Sequence, residues 1–183
     1  MIAFFYSLSL VLDSQLRMKT ILETNRLFLR EFNTSDAENF YELNLNPNVI
    51  KYTGNSAFKD IREAKTFLEN YSDYQRKGFG RWAVIHQSTQ EFLGWCGLKY
   101  DDNLNETDIG FRFFEHFWNK GFATESAKAC IAYGFEKLNL KKIVGRAMKK
   151  NLASIKVLEK IGLQYERDFD FDGQEGVVYS IKK

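Results

Sequence analysis

Apolar and polar positions divide the chain into segments of two periods. RLFLREF at 26–32 alternates apolar and charged side chains around Leu27, Leu29 and Glu31, which predicts a half-buried strand. Thr34, Ser35 and Asp36 supply N-cap chemistry. Ala37, Phe40, Tyr41 and Asn44 follow at helical spacing, so a helix is predicted over 36–45, stopped by Asn46-Pro47. Ile61, Ala64, Leu68 and Tyr71 recur at steps of three and four and predict a second helix over 61–75. Gly78 and Gly80 punctuate. Strands are then predicted at 81–86, 91–100 and 107–115, the first two joined by the polar turn Gln87-Ser88-Thr89-Gln90.

The period then lengthens. Ala123, Ala127, Ile131, Phe135 and Leu138 mark a long helix with a buried stripe. A strand is predicted at 143–148, a short helix at 153–161 ended by Gly162, and two last strands at 163–171 and 176–183 around Asp172-Gly173. A meander of strands followed by alternating helix and strand predicts one α/β domain, a mixed sheet with helices on both faces.

Composition narrows the function classes. The 183 residues match a single domain, and 44% hydrophobic with 27% charged residues is ordinary globular usage. A net charge of +2 is too balanced for a protein built around nucleic acid or an anionic membrane. Cys96 and Cys130 both lie in apolar runs and read as reduced core thiols of a cytoplasmic protein. With only His86 and His116 beside them there is no zinc spacing, and no metal is expected. MIAFFYSLSLVL at the start has the length of a signal core but no basic flank, and it is too short for a membrane span. Residues 1–17 are therefore expected to be an extension outside a domain covering 18–183.

Candidate chemistry begins at WNKGFATE, residues 118–125, between a strand and the long helix. Gly121 and Ala123 keep side-chain bulk away from the turn, so successive N–H groups at a helix N-terminus can face a phosphate or pyrophosphate. The spacing is neither that of a Walker loop nor that of a Rossmann fingerprint. A plain strand-to-helix turn would use the same residues.

A second segment, NLASIKVLEKIGL at 151–163, begins with Asn after a strand and closes a short helix with Gly. Taken in order with ETNRLFLREF, TDIGFRF and WNKGFATES, it resembles the GNAT superfamily of acyl-CoA N-acyltransferases, nearest to its Rim-type ribosomal-protein N-terminal branch. The resemblance implies a twisted sheet that splays between the strand at 107–115 and the strand at 143–148. It implies acetyl-CoA as cosubstrate, its pantetheine arm paired with the first of these strands as far as Phe113. It also implies that the pyrophosphate rests on Asn119, Lys120, Gly121, Phe122, Ala123 and Thr124, and that Asn151 contacts the cofactor.

The implied reaction is acetyl transfer from a thioester to a primary amine, directly and without a metal. Many family members carry a Tyr acid seven residues after the motif Asn, where this chain has Leu158. The Rim-type branch has a Ser three residues after it, and here that is Ser154, also readable as a first-turn helix residue. Where the branch often carries a Glu base this chain has Asp108, one methylene shorter, which favours proton relay through water or an ordinary strand role. Glu125 suits a helix first turn, and Lys149, Lys150 and Lys156 a solvated face. Trp82, Trp95 and Trp118 suit core packing or a substrate groove. The acceptor is left open between a protein N-terminus and a small-molecule amine, and the assembly between monomer and homodimer. The rival readings are an acyl-CoA sensor without turnover and a nucleotide-phosphate binder.

Overall fold

The computed structural model describes residues 20–183, so the expected extension at 1–17 lies outside the described residues. Four strands lead the sheet: β1 (Thr20–Glu23), β2 (Leu27–Arg30), β3 (Arg81–His86) and β4 (Phe92–Asp101). Four more complete it: β5 (Glu106–Phe113), β6 (Lys142–Met148), β7 (Gln164–Phe171) and β8 (Gln174–Lys182). Their order is β1-β2-β3-β4-β5-β6-β8-β7, and all neighbours are antiparallel except β5 and β6. A parallel pair needs a crossover, here the long helix α5 (Phe122–Glu136).

Helices α1 (Ala37–Leu45), α2 (Pro47–Ile50), α3 (Ile61–Glu69) and α4 (Asp73–Lys77) precede β3, and α6 (Leu152–Lys160) follows β6. Trp82, Val84, Cys96, Leu98, Ile109, Ile143 and Leu158 are buried in the core between α5 and the sheet, together with Cys130 and Ile131 of the helix. On the opposite face Phe40, Ala64 and Leu68 of α1 and α3 pack against Ala83, Ile85 and Phe92. The α/β reading with helices on both faces holds. No helix among the described residues is long and apolar enough to cross a membrane.

Three local departures have physical causes. β1 is too short to show a period in the sequence. Pro47 not only stops α1 but opens α2 at its first position, with Asn46 Oδ1 capping Asn48 N at 2.9 Å. The helix expected over 61–75 breaks at Asn70, whose Nδ2 folds back on Thr66 O at 2.9 Å. The break lets two half-buried phenols anchor the first residue of β3. Tyr71 Oη accepts from Arg81 N at 2.7 Å, while Tyr74 donates to Arg81 O and accepts from Phe32 N at 3.0 Å.

The β2–α1 corner is closed by a buried ion pair. Arg30 donates through Nη1 and Nη2 to both carboxylate oxygens of Asp36, at 2.8 and 2.6 Å. Asp36→Ala should cost about 3 kcal/mol or more, because it leaves a guanidinium buried without its partner. Chemical denaturation measures this directly; a loss below about 1 kcal/mol would show that the pair does not hold the corner.

Candidate active site

The sheet fails to close between its central strands. β4 and β5 pair from Gly94↔Phe113 to Asp101↔Glu106, and β6 and β8 pair along the whole of β6. β5 and β6 share one registered pair, Asp108↔Val144. Beyond it, residues 109–113 have no β6 partner on that edge. Backbone donors and acceptors left this way are ready to pair with a ligand laid alongside.

Charge pins the closed end. Glu106 of β5 meets Arg146 at 2.6 Å, Arg167 at 3.0 Å and Lys142 at 3.5 Å, which ties β5 to β6 and β7. Glu166 pairs with Lys142 at 2.8 Å. Burial pushes the Glu106 carboxyl up, but hydrogen bonds from Arg167 and Arg146 outweigh it and hold the group below its ordinary value. Glu166 is drawn down to about 2, chiefly by the hydrogen bond from Lys142.

The open end leads to the turn before α5. Trp118 donates its indole N–H to Phe113 O at 2.9 Å, fastening this turn to the end of β5. Asn119 and Gly121 sit in the left-handed region at φ 60° and 82°. Gly121 is the N-cap of α5 and offers no side chain to its first-turn amides. Arg26 donates to Lys120 O at 3.1 Å, and Glu125 accepts from Thr24 Oγ1 at 2.6 Å and Arg26 Nε at 2.7 Å. Glu125 therefore ties the start of α5 to the turn between β1 and β2 rather than merely favouring the helix dipole. Phe122 is buried, with the Arg26 guanidinium 4.4 Å above its ring. Amides opening a helix of this length suit an anion.

Asn151 and Ser154 lie at the start of α6, which follows β6. Asn151 Oδ1 accepts from Ser154 N at 3.1 Å and so caps the helix. The Ser154 hydroxyl is half-buried and makes no hydrogen bond among the described residues. Leu158 is buried in the core, where a Cβ on Gly145 would come within 2.4 Å of it. The position where the family resemblance implies a Tyr acid thus holds a side chain that faces inward. Lys149 pairs with Asp168 at 3.2 Å, and Lys150 and Lys156 are exposed.

Asp108 stands at the vertex of the splay, on the face toward α1 and α4. Arg81 reaches it across the facing pair Gly97↔Gly110, where a Cβ on Gly110 would lie 2.6 Å from the guanidinium. The Arg81 guanidinium donates to Gly97 O, to Asp108 O at 3.0 Å and to Asp108 Oδ2 at 2.7 Å. The shorter carboxylate is turned to Arg81, with Arg146 4.0 Å from its other oxygen. It also borders an open groove of about 500 Å³ with Asp73, Lys77, Lys99 and Tyr100.

Trp95 lies on this face between Arg81 and Arg112, their guanidinium carbons 5.6 and 5.3 Å from its ring. Trp82 is core, and Trp118 is partly exposed. Sequence reasoning missed Arg81, Glu106, Arg112 and Arg146. For the three arginines the signal was a charge at a strand position flanked by apolar residues or glycine; Glu106, between Asn105 and Thr107, gave none. The two thiols lie buried 3.8 Å apart in the core, and no metal-binding cluster of His, Cys, Asp and Glu occurs among the described residues.

Residues 26–164 match the acetyltransferase (GNAT) domain family. N-acetyltransferase p20 of Bacillus licheniformis is 33% identical over 154 residues, covering 81% of this chain and 86% of that protein. A GNAT-family acetyltransferase structure from Bacillus anthracis superposes with a TM-score of 0.77 at 25% identity, covering 88% and 97% of the two chains. The microcin C7 self-immunity acetyltransferase MccE, solved with acetyl-CoA and AMP, shares the fold with a TM-score of 0.75 at 19% identity, over 87% and 94% of the chains.

The carboxylates at the closed end predict an acid response. Unfolded, Glu106 and Glu166 take up protons near the ordinary 4.5; folded, both do so lower, Glu166 at about 2. Their contribution to stability is thus fully present above about pH 4.5 and lost as pH falls toward 2. Glu106→Gln should lower stability at neutral pH and flatten this acid loss. Parallel acid limbs for parent and variant would contradict it.

Proposed function

The chain belongs to the GNAT acetyltransferase family, and from that premise we propose that it transfers an acetyl group from acetyl-CoA to a primary amine within one ternary complex. The observation that carries this reading is the β5–β6 ladder reduced to Asp108↔Val144, with an uncapped helix N-terminus at its open end. The residues fit the group: amides of the 119–124 turn would take its pyrophosphate, the β5 edge up to Phe113 its pantetheine, and Asn151 a further contact. Bound there, acetyl-CoA supplies an activated thioester.

The rest is work for the chain. An α-amine, with a pKa near 8, is partly neutral at pH 7; a lysine amine near 10.4 must be helped to lose its proton. Asp108 borders the open groove yet is engaged by Arg81, which suits relay through water rather than direct contact. The Ser154 hydroxyl is free to donate a hydrogen bond to the sulfur as charge develops on it, a role Leu158 cannot take. The acceptor is a small-molecule amine or a protein N-terminus.

Release of free thiol from acetyl-CoA across an amine panel tests the activity. Tight CoA binding with no thiol released by any amine would make the chain an acyl-CoA sensor, and preference for ATP over acetyl-CoA a nucleotide binder. Ser154→Ala should lower kcat by about tenfold to a hundredfold while CoA affinity stays within a few fold. A residue that only shaped the first turn would instead lower Tm and leave kcat alone. Turnover and melting measured on this one variant separate the two.

A further inference from the structure

Arg112 is the one arginine among the described residues that meets no carboxylate. Arg26, Arg30, Arg62, Arg76, Arg81, Arg146 and Arg167 each lie within 4.0 Å of an Asp or Glu oxygen. Arg112 instead donates from Nη1 to Asn44 Oδ1 and from Nη2 to Asn55 Oδ1, the latter at 3.0 Å. Its Nε is buried without a partner. Two amide oxygens aim the fork but do not balance its charge. Burial, and then the like charge of Arg81, draw its pKa down to about 10. A half-buried cation with no counter-charge is unfavourable unless something completes it.

Its place says what could. Arg112 shares the β5 face of Asp108 and Gly110, roughly 13 Å along the strand from Asp108. Asn44 on α1 and Asn55 hold it over Trp95, on the side of the sheet away from α5. An amine presented to the open β5 edge from this side would carry its remaining atoms past Trp95 and the guanidinium. Of the acids nearby, Asp108 is paired by Arg81 and Asp102 by Arg76 and Lys77, while Asp73 lies 4.0 Å from Lys99 with its Oδ2 making no hydrogen bond among the described residues. Beside Trp95 the uncompensated charge is that of Arg112, which favours an anionic group on the acceptor over a polyamine.

Resting on the acetyl-transfer reading, we propose that Arg112 determines acceptor specificity by binding a carboxylate on the acceptor, so that the acceptor is an amine that also bears a carboxylate, amino-acid-like in chemistry. The experiment compares matched acceptors, amino acids against their carboxamides, in the parent, Arg112→Gln and Arg112→Lys. The parent should prefer the carboxylate by about tenfold to a hundredfold in kcat/KM. Arg112→Gln should bring that ratio close to one, and Arg112→Lys should retain only part of it, having charge without the fork.

A binding arm does not depend on turnover: with CoA present, an N-acetyl amino acid should bind the parent more tightly than its amide, and Arg112→Gln should erase the difference. Melting provides a further check, since removing an unbalanced charge should leave Tm unchanged or raised. Equal use of carboxylate and amide acceptors by the parent overturns the proposal while leaving acetyl transfer intact. If no amine releases thiol, the activity reading fails and the binding arm alone decides: a parent that does not favour the carboxylate overturns the proposal. A variant with lowered Tm and an unchanged ratio assigns Arg112 to structure and overturns it too.

Discussion

Strand backbones demand hydrogen-bond partners, and between β5 and β6 the sheet withholds them after Asp108↔Val144. The surrounding interactions hold that gap open at one end and shut at the other. Glu106, bonded to Arg146 and Arg167, pins the closed end. At the open end Trp118 fastens the turn before α5 to Phe113, and Glu125 fastens the same turn to Thr24 and Arg26. The parallel pairing itself follows from α5 crossing over the sheet, so the helix that buries the core also delivers its N-terminus to the mouth of the gap.

The two faces of β5 divide the labour. One turns Ile109 and Phe113 into the core beneath α5, as alternation requires. The other carries Glu106, Asp108, Gly110 and Arg112 toward α1 and α4. Gly110 and Gly97 face each other there and leave the strip over which Arg81 reaches Asp108. A methyl group on Gly110 would occupy the space of that guanidinium. This face of β5 is thus shaped by charged side chains laid over a glycine floor.

Periodicity made most of the fold legible, because period two and period 3.6 report burial directly. RWAVIH became β3 residue for residue, and Gly121 was readable as a turn position kept free of side-chain bulk, though not as a left-handed one. The order of four motifs carried the family and the splay. Less legible were features set by distant partners. Arg81 meets Asp108, and Glu106 meets Arg146 and Arg167, across tens of residues that no local pattern links. The break at Asn70 depends on Tyr71 and Tyr74 reaching Arg81, which helical spacing alone does not show. Ser154 and Asn151 were readable only through the family motif; their shared cap was not. The resemblance to the Rim-type branch says little of the surroundings of Arg112, because Asn44, Asn55 and Trp95 fall outside those motifs.

Amide hydrogen exchange along β5, with and without CoA, tests most directly whether the unpaired edge is where the cofactor binds. Within 109–113, the alternate amides not bonded to β4 should exchange at least about tenfold more slowly once CoA is bound, while amides in β3 change little. CoA binding with saturable affinity and no slowing at those amides would contradict it.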